Sequence, residues 1–226
     1  MTQPRIGITT SYSDGRQKVD HNYITAIESA GGLPLIVPML QTQSAMESFA
    51  TLLDGLVITG GPGLTRGIVG DLPQDLEPVD PIRDRTDTLI YEAMNEKPVL
   101  GICYGMQFIN AQSGGTLYAD TVNQLENTLM HSPKRGGEDH AVRVSSGSRL
   151  REIFSSPELT VNTYHIQSVA EVGQGLKVTA EGSDGVIEAV ESIDGRMIGV
   201  QFHPERMLDN MLPLFHDFVE QCRRQG

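Results

Sequence analysis

The sequence predicts an α/β fold, with a largely parallel central sheet flanked by helices, a nucleophile elbow and a strand-rich second half. Short apolar runs alternate with helical patterns as far as Ala111, which is the pattern of a parallel sheet covered on both faces. After Asp120 the helical patterns give way to short strand-like runs separated by turn residues. A third observation marks where chemistry sits. The stretch Leu100–Gln107, LGICYGMQ, places a cysteine between two glycines where a strand passes into a helix.

The elements follow in order. Arg5–Thr9 (RIGIT) reads as a strand, and His21–Ala30 as a helix stopped by Gly31-Gly32. Pro34–Val37 is the second strand. Ser44–Leu53 is a helix, with Ser44 its expected cap and Glu47 favourable to its dipole. Leu56–Thr59 is the third strand, Arg83–Asn95 a helix, Pro98–Cys103 the fourth strand and Tyr104–Ala111 the helix after it. In the second half His140–Val144, Leu159–Thr163, Leu176–Thr179, Val186–Glu191 and Met197–Phe202 read as strands. Turns are expected at Ser146-Gly147 and at Ser183-Asp184-Gly185. A final helix, Leu208–Arg223, carries Met211, Phe215, Phe218 and Cys222 at helical spacing. The polar segments Gly63–Pro78 and Thr121–Glu138 are expected outside the core, near strand ends, where open α/β sheets bind ligands.

The bulk numbers narrow the function. A chain of 226 residues, 38% hydrophobic and 20% charged, suits one large domain over residues 1–226. The net charge of -12, from 29 acidic and 17 basic residues, argues against nucleic-acid binding and against docking on an anionic membrane. Two cysteines make neither a disulfide framework nor a zinc spacing. The N-terminus shows no signal peptide, and no apolar run approaches membrane length, so a reducing cytoplasm is the expected location. The expected partner is a small molecule, and a homodimer is compatible with the sequence.

Gly101-Ile102-Cys103-Tyr104-Gly105 has two readings. Cys103 is either a small buried filler or a nucleophile on a sharp turn, where flanking glycines permit close packing and a helix N-terminus favours the thiolate. A nucleophilic cysteine needs a base. His203 follows the strand Met197–Phe202, which would put it at the same sheet edge, and Glu205 stands two residues on, able to orient the imidazole. Thr59-Gly60-Gly61-Pro62-Gly63 follows a strand directly. It is either a plain turn or an oxyanion hole in which the Gly61 N–H lies beside that of Tyr104. The remaining groups receive plainer readings. His21, His131 and His216 have no partner at useful spacing and read as surface or core-edge residues. His140 reads as structural, and Cys222 as packing in the last helix.

Together, Gly60–Pro62, Gly101–Gln107 and His203–Glu205 resemble, in order, the three motifs of the class I (triad) glutamine amidotransferase superfamily. Within it the chain is most similar to the γ-glutamyl-γ-aminobutyrate hydrolase group. The likeness runs through Arg5–Ser11, Ala30–Pro38, Asp80–Asp84, Gln107–Asp120 and Val161–Gln167 (VNTYHIQ). The resemblance implies Cys103 as nucleophile, His203 and Glu205 as its activating pair, and the backbone of Gly61 and Tyr104 as oxyanion donors. It implies that Gln107 holds the glutamyl end and that His165 and Gln167 border the site. It implies no metal and no cofactor. Two departures fall where the leaving group of a substrate is expected: Tyr104 replaces a common Arg, and Gly63–Asp71 reads GLTRGIVGD without the usual Asp.

The expected activity is therefore cysteine-dependent hydrolysis of a γ-glutamyl amide. The alternatives are a glutaminase subunit passing ammonia to a separate synthetase, since the chain ends one helix after His-Pro-Glu, and a non-catalytic γ-glutamyl-binding module.

Overall fold

The computed structural model describes residues 2–225. Strand β1 (Arg5–Ile8) leads through a small hairpin, β2 (Ser11–Ser13) and β3 (Arg16–Lys18), into α1 (His21–Ser29). Then come β4 (Leu33–Ile36), α2 (Gln43–Ala50), β5 (Gly55–Ile58), the short β6 (Ile68–Val69), α3 (Pro81–Met94), β7 (Val99–Ile102) and α4 (Tyr104–Gln112). The second half begins with β8 (Thr116–Tyr118), α5 (Thr121–Gln124), β9 (His140–Val144), α6 (Arg149–Phe154) and β10 (Glu158–Val161). It ends with β11 (Ser168–Glu171), β12 (Leu176–Gly182), β13 (Ile187–Ser192), β14 (Met197–Val200) and α7 (Leu208–Gln225).

The main path of the sheet runs β10-β9-β12-β13-β14-β7-β5-β1-β4, with β11, β8 and β6 branching from it. From β14 to β4 every pairing is parallel. From β10 to β14 every pairing is antiparallel. Strand β14 thus joins the parallel half although it comes from the strand-rich end of the chain.

The inner parallel strands β5, β7 and β14 are buried along their whole length because both faces of the sheet are covered there, whereas the edge strand β4 leaves Leu33 and Ile36 exposed. Side chains alternate along a strand, so Val57, Leu100 and Ile102 pack with Ala26, Ile27, Phe215 and Phe218 of α1 and α7. Leu56, Ile58 and Val99 pack on the other side with Met46, Ile90, Met106 and Ile109 of α2, α3 and α4. Cys222 is fully buried on the inner face of α7, as its spacing predicts, and burial pushes its thiol up to about 12. Among the described residues no helix is long and apolar enough to cross a membrane.

Several expectations need correction. Helix α2 starts at Gln43 after Thr42, so Ser44 lies inside the first turn and does not cap. Helix α3 starts two residues earlier than Arg83. Asp80 accepts from Ile82 N–H, and Pro81 occupies the first helical position, where a missing N–H costs nothing. The turn expected at Ser146-Gly147 is present and leads into α6, a helix not expected, which Ser148 caps by accepting from Arg151 N–H. The segment Thr121–Glu138 is not wholly outside the core: Thr121, His131 and Ser132 are buried. Phe215 is fully buried between α7 and the sheet. Phe215→Ala should lower the unfolding free energy by about 3–5 kcal/mol in denaturant titration, through lost burial and the cavity left behind.

Candidate active site

The register of β7 and β14 builds the site. Val200 pairs with Ile102, and the next amide, Cys103 N–H, donates to Val200 O at 2.7 Å. The chain then turns sharply into α4. Cys103 takes φ 52° and ψ -104°, a left-handed conformation that a non-glycine residue holds only under strain. The two glycines are needed for space. A Cβ on Gly101 would overlap the backbone of Gly105, and one on Gly105 would overlap the Ile58 carbonyl.

Beyond β14 the chain runs on to His203. Its ring lies against the glycine loop, so that a side chain on Gly60 would strike His203 Cε1. His203 Nδ1 is 2.7 Å from Glu205 Oε1. The backbone of His203 is held on both sides by one side chain: His203 N–H donates to Asn162 Oδ1, and Asn162 Nδ2 donates to His203 O, each at 2.8 Å. Burial alone would lower the His203 pKa. The neighbouring Cys103 sulfur and the Glu205 carboxylate outweigh it and raise the imidazole to about 10. The arrangement favours an imidazolium facing Cys103, the charge state that can protonate a leaving amine.

The Gly60-Gly61 loop is clamped from below. Arg83 of α3 is fully buried and donates to Thr59 O at 3.0 Å, Gly60 O at 3.1 Å and Ser11 Oγ at 2.9 Å. Its Nε reaches Asp87 Oδ2 at 3.1 Å, and burial raises the Asp87 carboxyl to about 6 against the pull of Arg83. Tyr23 accepts the Gly60 N–H at 3.0 Å. That bond removes Gly60 as an oxyanion donor, whereas no acceptor among the described residues takes the Gly61 N–H. The Tyr104 N–H, first in its helix, has no intrahelical acceptor either.

A cavity of about 280 Å³ opens at Cys103. It is lined by Gly61, Gln107, His165 and Gln167, all expected at the site, and also by Tyr164 and Lys134. Gln107 Nε2 donates to Gln167 O at 3.0 Å and to Gln201 Oε1 at 3.2 Å. Gln201 Nε2 in turn reaches Cys103 Sγ at 3.5 Å. The Gln167 side chain pairs with the Leu64 backbone in both directions, at 2.8 and 2.9 Å, and so ties the loop after Gly61 to the far wall.

Tyr104 departs from expectation. Its side chain is buried away from the cavity, stacked on Phe108 and lying under the Arg83 guanidinium, 4.3 Å from the ring centroid. It therefore does not meet a leaving group. His131 also departs. It is buried, with Nε2 2.8 Å from Asp184 Oδ2, and its ring packs against His140 and His165. Its partners lie more than thirty residues from it in the sequence except for His140, so local spacing could not reveal them. His21 and His216 are exposed, as read. Arg83 and Asn162 lie in stretches that carry the family likeness but were not singled out there as site residues, and Tyr23 and Gln201 lie outside those stretches. The one signal available is an Arg and an Asp four apart on α3, which is also the pattern of an exposed helical ion pair.

The chain is similar to known proteins over nearly its whole length. The family model for Peptidase C26 matches residues 4–205. A γ-glutamyl-γ-aminobutyrate hydrolase of Escherichia coli K12 is 31% identical over 248 aligned positions, covering 99% of this chain and 95% of that protein. A Schizosaccharomyces pombe protein provisionally named a glutamine amidotransferase is 34% identical, covering 99% and 88%. Among solved structures, a Thermoplasma acidophilum protein provisionally described as one of the subunits of a GMP synthase superposes with TM-score 0.67 at 18% identity, over 99% of this chain and 96% of that one. That likeness establishes the shared fold.

The raised pKa of His203 can be read directly by NMR of its imidazole nitrogens. The ring should stay protonated at pH 8 in the wild type and lose its proton at lower pH in Cys103→Ala and in Glu205→Gln, because each change removes a charge that holds the proton.

Proposed function

We propose that this chain, which belongs to the Peptidase C26 family of class I glutamine amidotransferase-like hydrolases, hydrolyses a γ-glutamyl amide through a thioester on Cys103. The observation that carries the reading is the constellation at one sheet edge. A cysteine on a strained elbow shares its pocket with a histidine that a carboxylate anchors at 2.7 Å.

In this reading the Cys103 thiolate attacks the γ-carbonyl carbon. The Gly61 and Tyr104 N–H groups receive the developing oxyanion. His203 gives its proton to the departing amine, then takes one from the water that cleaves the thioester. Glu205 keeps the imidazole oriented and charged. Gln107 has already donated its amide N–H groups, so its Oε1 is the atom that accepts from the ammonium of the glutamyl end. His165 and Gln167 shape the opposite wall. The products are glutamate and an amine.

The leaving group is read from the mouth of the cavity. Lys134 is exposed there. It suits an amine that carries its own carboxylate, the class to which γ-aminobutyrate belongs, and the E. coli relative's name points the same way. The runner-up, a glutaminase serving a synthetase, draws on the amidotransferase name of the fungal relative. The Tyr104 side chain, buried away from the cavity, does not bear on the choice.

Glutamate release from γ-glutamyl-γ-aminobutyrate, γ-glutamyl alkylamides and glutamine tests the reading. Fast turnover of the amides, lost by about 10³-fold or more in Cys103→Ala, is the expected result. Slow turnover of glutamine alone would favour the synthetase-linked alternative, and retained activity in Cys103→Ala would refute the nucleophile. Lys134→Ala should raise KM for the acidic amide by roughly tenfold, the effect of one partly exposed charge pair, and leave KM for an alkylamide unchanged.

A further inference from the structure

We propose that His131, His140 and Glu188 hold a divalent transition-metal ion of the zinc type behind the cavity wall, with His165 facing its fourth coordination position. The cluster gathers four separated pieces of chain: the segment after α5 (His131), the start of β9 (His140), β13 (Glu188) and the segment between β10 and β11 (His165). Ligating atoms of His131, His140 and Glu188 all lie within 4.8 Å of one another. Glu188 Oε1 is 3.3 Å from His140 Nε2, 3.4 Å from His165 Nε2 and 3.5 Å from His131 Nδ1.

These separations are long for charge-assisted hydrogen bonds, which run to about 2.7–2.9 Å. The His203–Glu205 pair of the same molecule shows that short form at 2.7 Å. They do match the edges of a zinc tetrahedron, since bonds of about 2.0–2.1 Å set neighbouring ligand atoms roughly 3.3–3.4 Å apart. Glu188 is fully buried, yet neither of its carboxylate oxygens has a hydrogen-bond partner, and Nε2 of His140 and of His165 has none. Buried charges of this kind are paired closely or coordinate metals.

Two of the three imidazoles have the outer contact usual for metal-bound imidazoles, in which the second ring nitrogen meets a carboxylate or a backbone carbonyl, whereas Nδ1 of His140 has no partner. His131 Nε2 lies 2.8 Å from Asp184 Oδ2, and His165 Nδ1 lies 2.9 Å from Gln167 O. A carbonyl only accepts, so His165 Nδ1 carries a hydrogen. A ring whose Nε2 bears no hydrogen turns a lone pair toward the Glu188 carboxylate, and a metal ion between them would serve both. Three imidazoles and one carboxylate suit a zinc-type ion. Such an ion ties the Ser132–Lys134 and Tyr164–Gln167 walls of the cavity to β9 and β13. The inference departs from the expectation of no metal, which rests on the family resemblance and on the cysteine spacing. The competing arrangement is a metal-free imidazolium at His131, held by Asp184 and by Thr163 Oγ1 at 3.2 Å.

The test is elemental analysis of untagged protein purified without chelator, followed by chelation and reconstitution with zinc or cobalt(II). The expected result is about one metal ion per chain in the wild type and in Cys103→Ala, and loss of metal in Glu188→Gln. Cobalt should give the visible d–d bands of a tetrahedral site without a sulfur charge-transfer band, and the thermal midpoint should fall on chelation and return with zinc. Should Glu188→Gln not fold, the cobalt spectrum of the wild type decides alone. Metal lost from Cys103→Ala would move the ion to the catalytic thiol and overturn the proposal. A wild type without stoichiometric metal, whose apoprotein shows no cobalt spectrum and no zinc-dependent midpoint, would leave the imidazolium arrangement in its place.

Discussion

The parallel pairing of β7 with β14 is the constraint on which the site depends. It brings two strand ends, about a hundred residues apart in the chain, to the same edge with a defined register. The bond from Cys103 N–H to Val200 O is the last rung of that ladder. Beyond it the two chains diverge, one into α4 and the other toward His203. The sheet also changes character at β14, which pairs parallel on one side and antiparallel on the other. A crevice at the carboxyl ends of parallel strands, beside such a change of direction, is where α/β folds bind small molecules.

A second requirement follows from burying loops next to that edge. Loop backbone groups removed from water must find partners. Here they find side chains from far along the sequence. Arg83 and Tyr23 hold the Gly60 loop, Asn162 holds both backbone groups of His203, and Gln167 holds Leu64. Each clamp is buried and long in sequence separation, so it fixes position without relying on local stiffness. The strain at Cys103 persists because the structure around it is determined in this way.

Much of the fold was legible. Every strand of the parallel half and its helices fall within a few residues of the expected spans, since long apolar periodicity reports burial on one or two faces. The hairpin at β2 and β3, the short β6, β8 and α5, and β11 and α6 were not legible, because each is either only two residues long or mixes polar with apolar residues over too few positions to show an apolar run or a helical period. At the site, the elbow and the His-Pro-Glu stretch were legible because their parts are neighbours in the chain. Arg83 was not, because an Arg and Asp four apart look the same on a buried helix as on an exposed one. The burial of His131 was hidden for a related reason: its partners Asp184 and Glu188 belong to another part of the chain.

The sequence by itself determined what short-range geometry can encode. Gly101 and Gly105 permit the tight turn at Cys103, Glu205 lies within reach of His203, and the apolar runs specify a sheet covered on both faces. Only the tertiary structure decided what depends on strand order and burial. It set β14 beside β7, turned the Tyr104 side chain into the core, committed Gly60 N–H to Tyr23, and gathered His131, His140 and His165 around Glu188. The physical reason is that covalent neighbours fix directions over a few ångströms, whereas contacts between residues a hundred positions apart exist only once the sheet has assembled and water has been excluded.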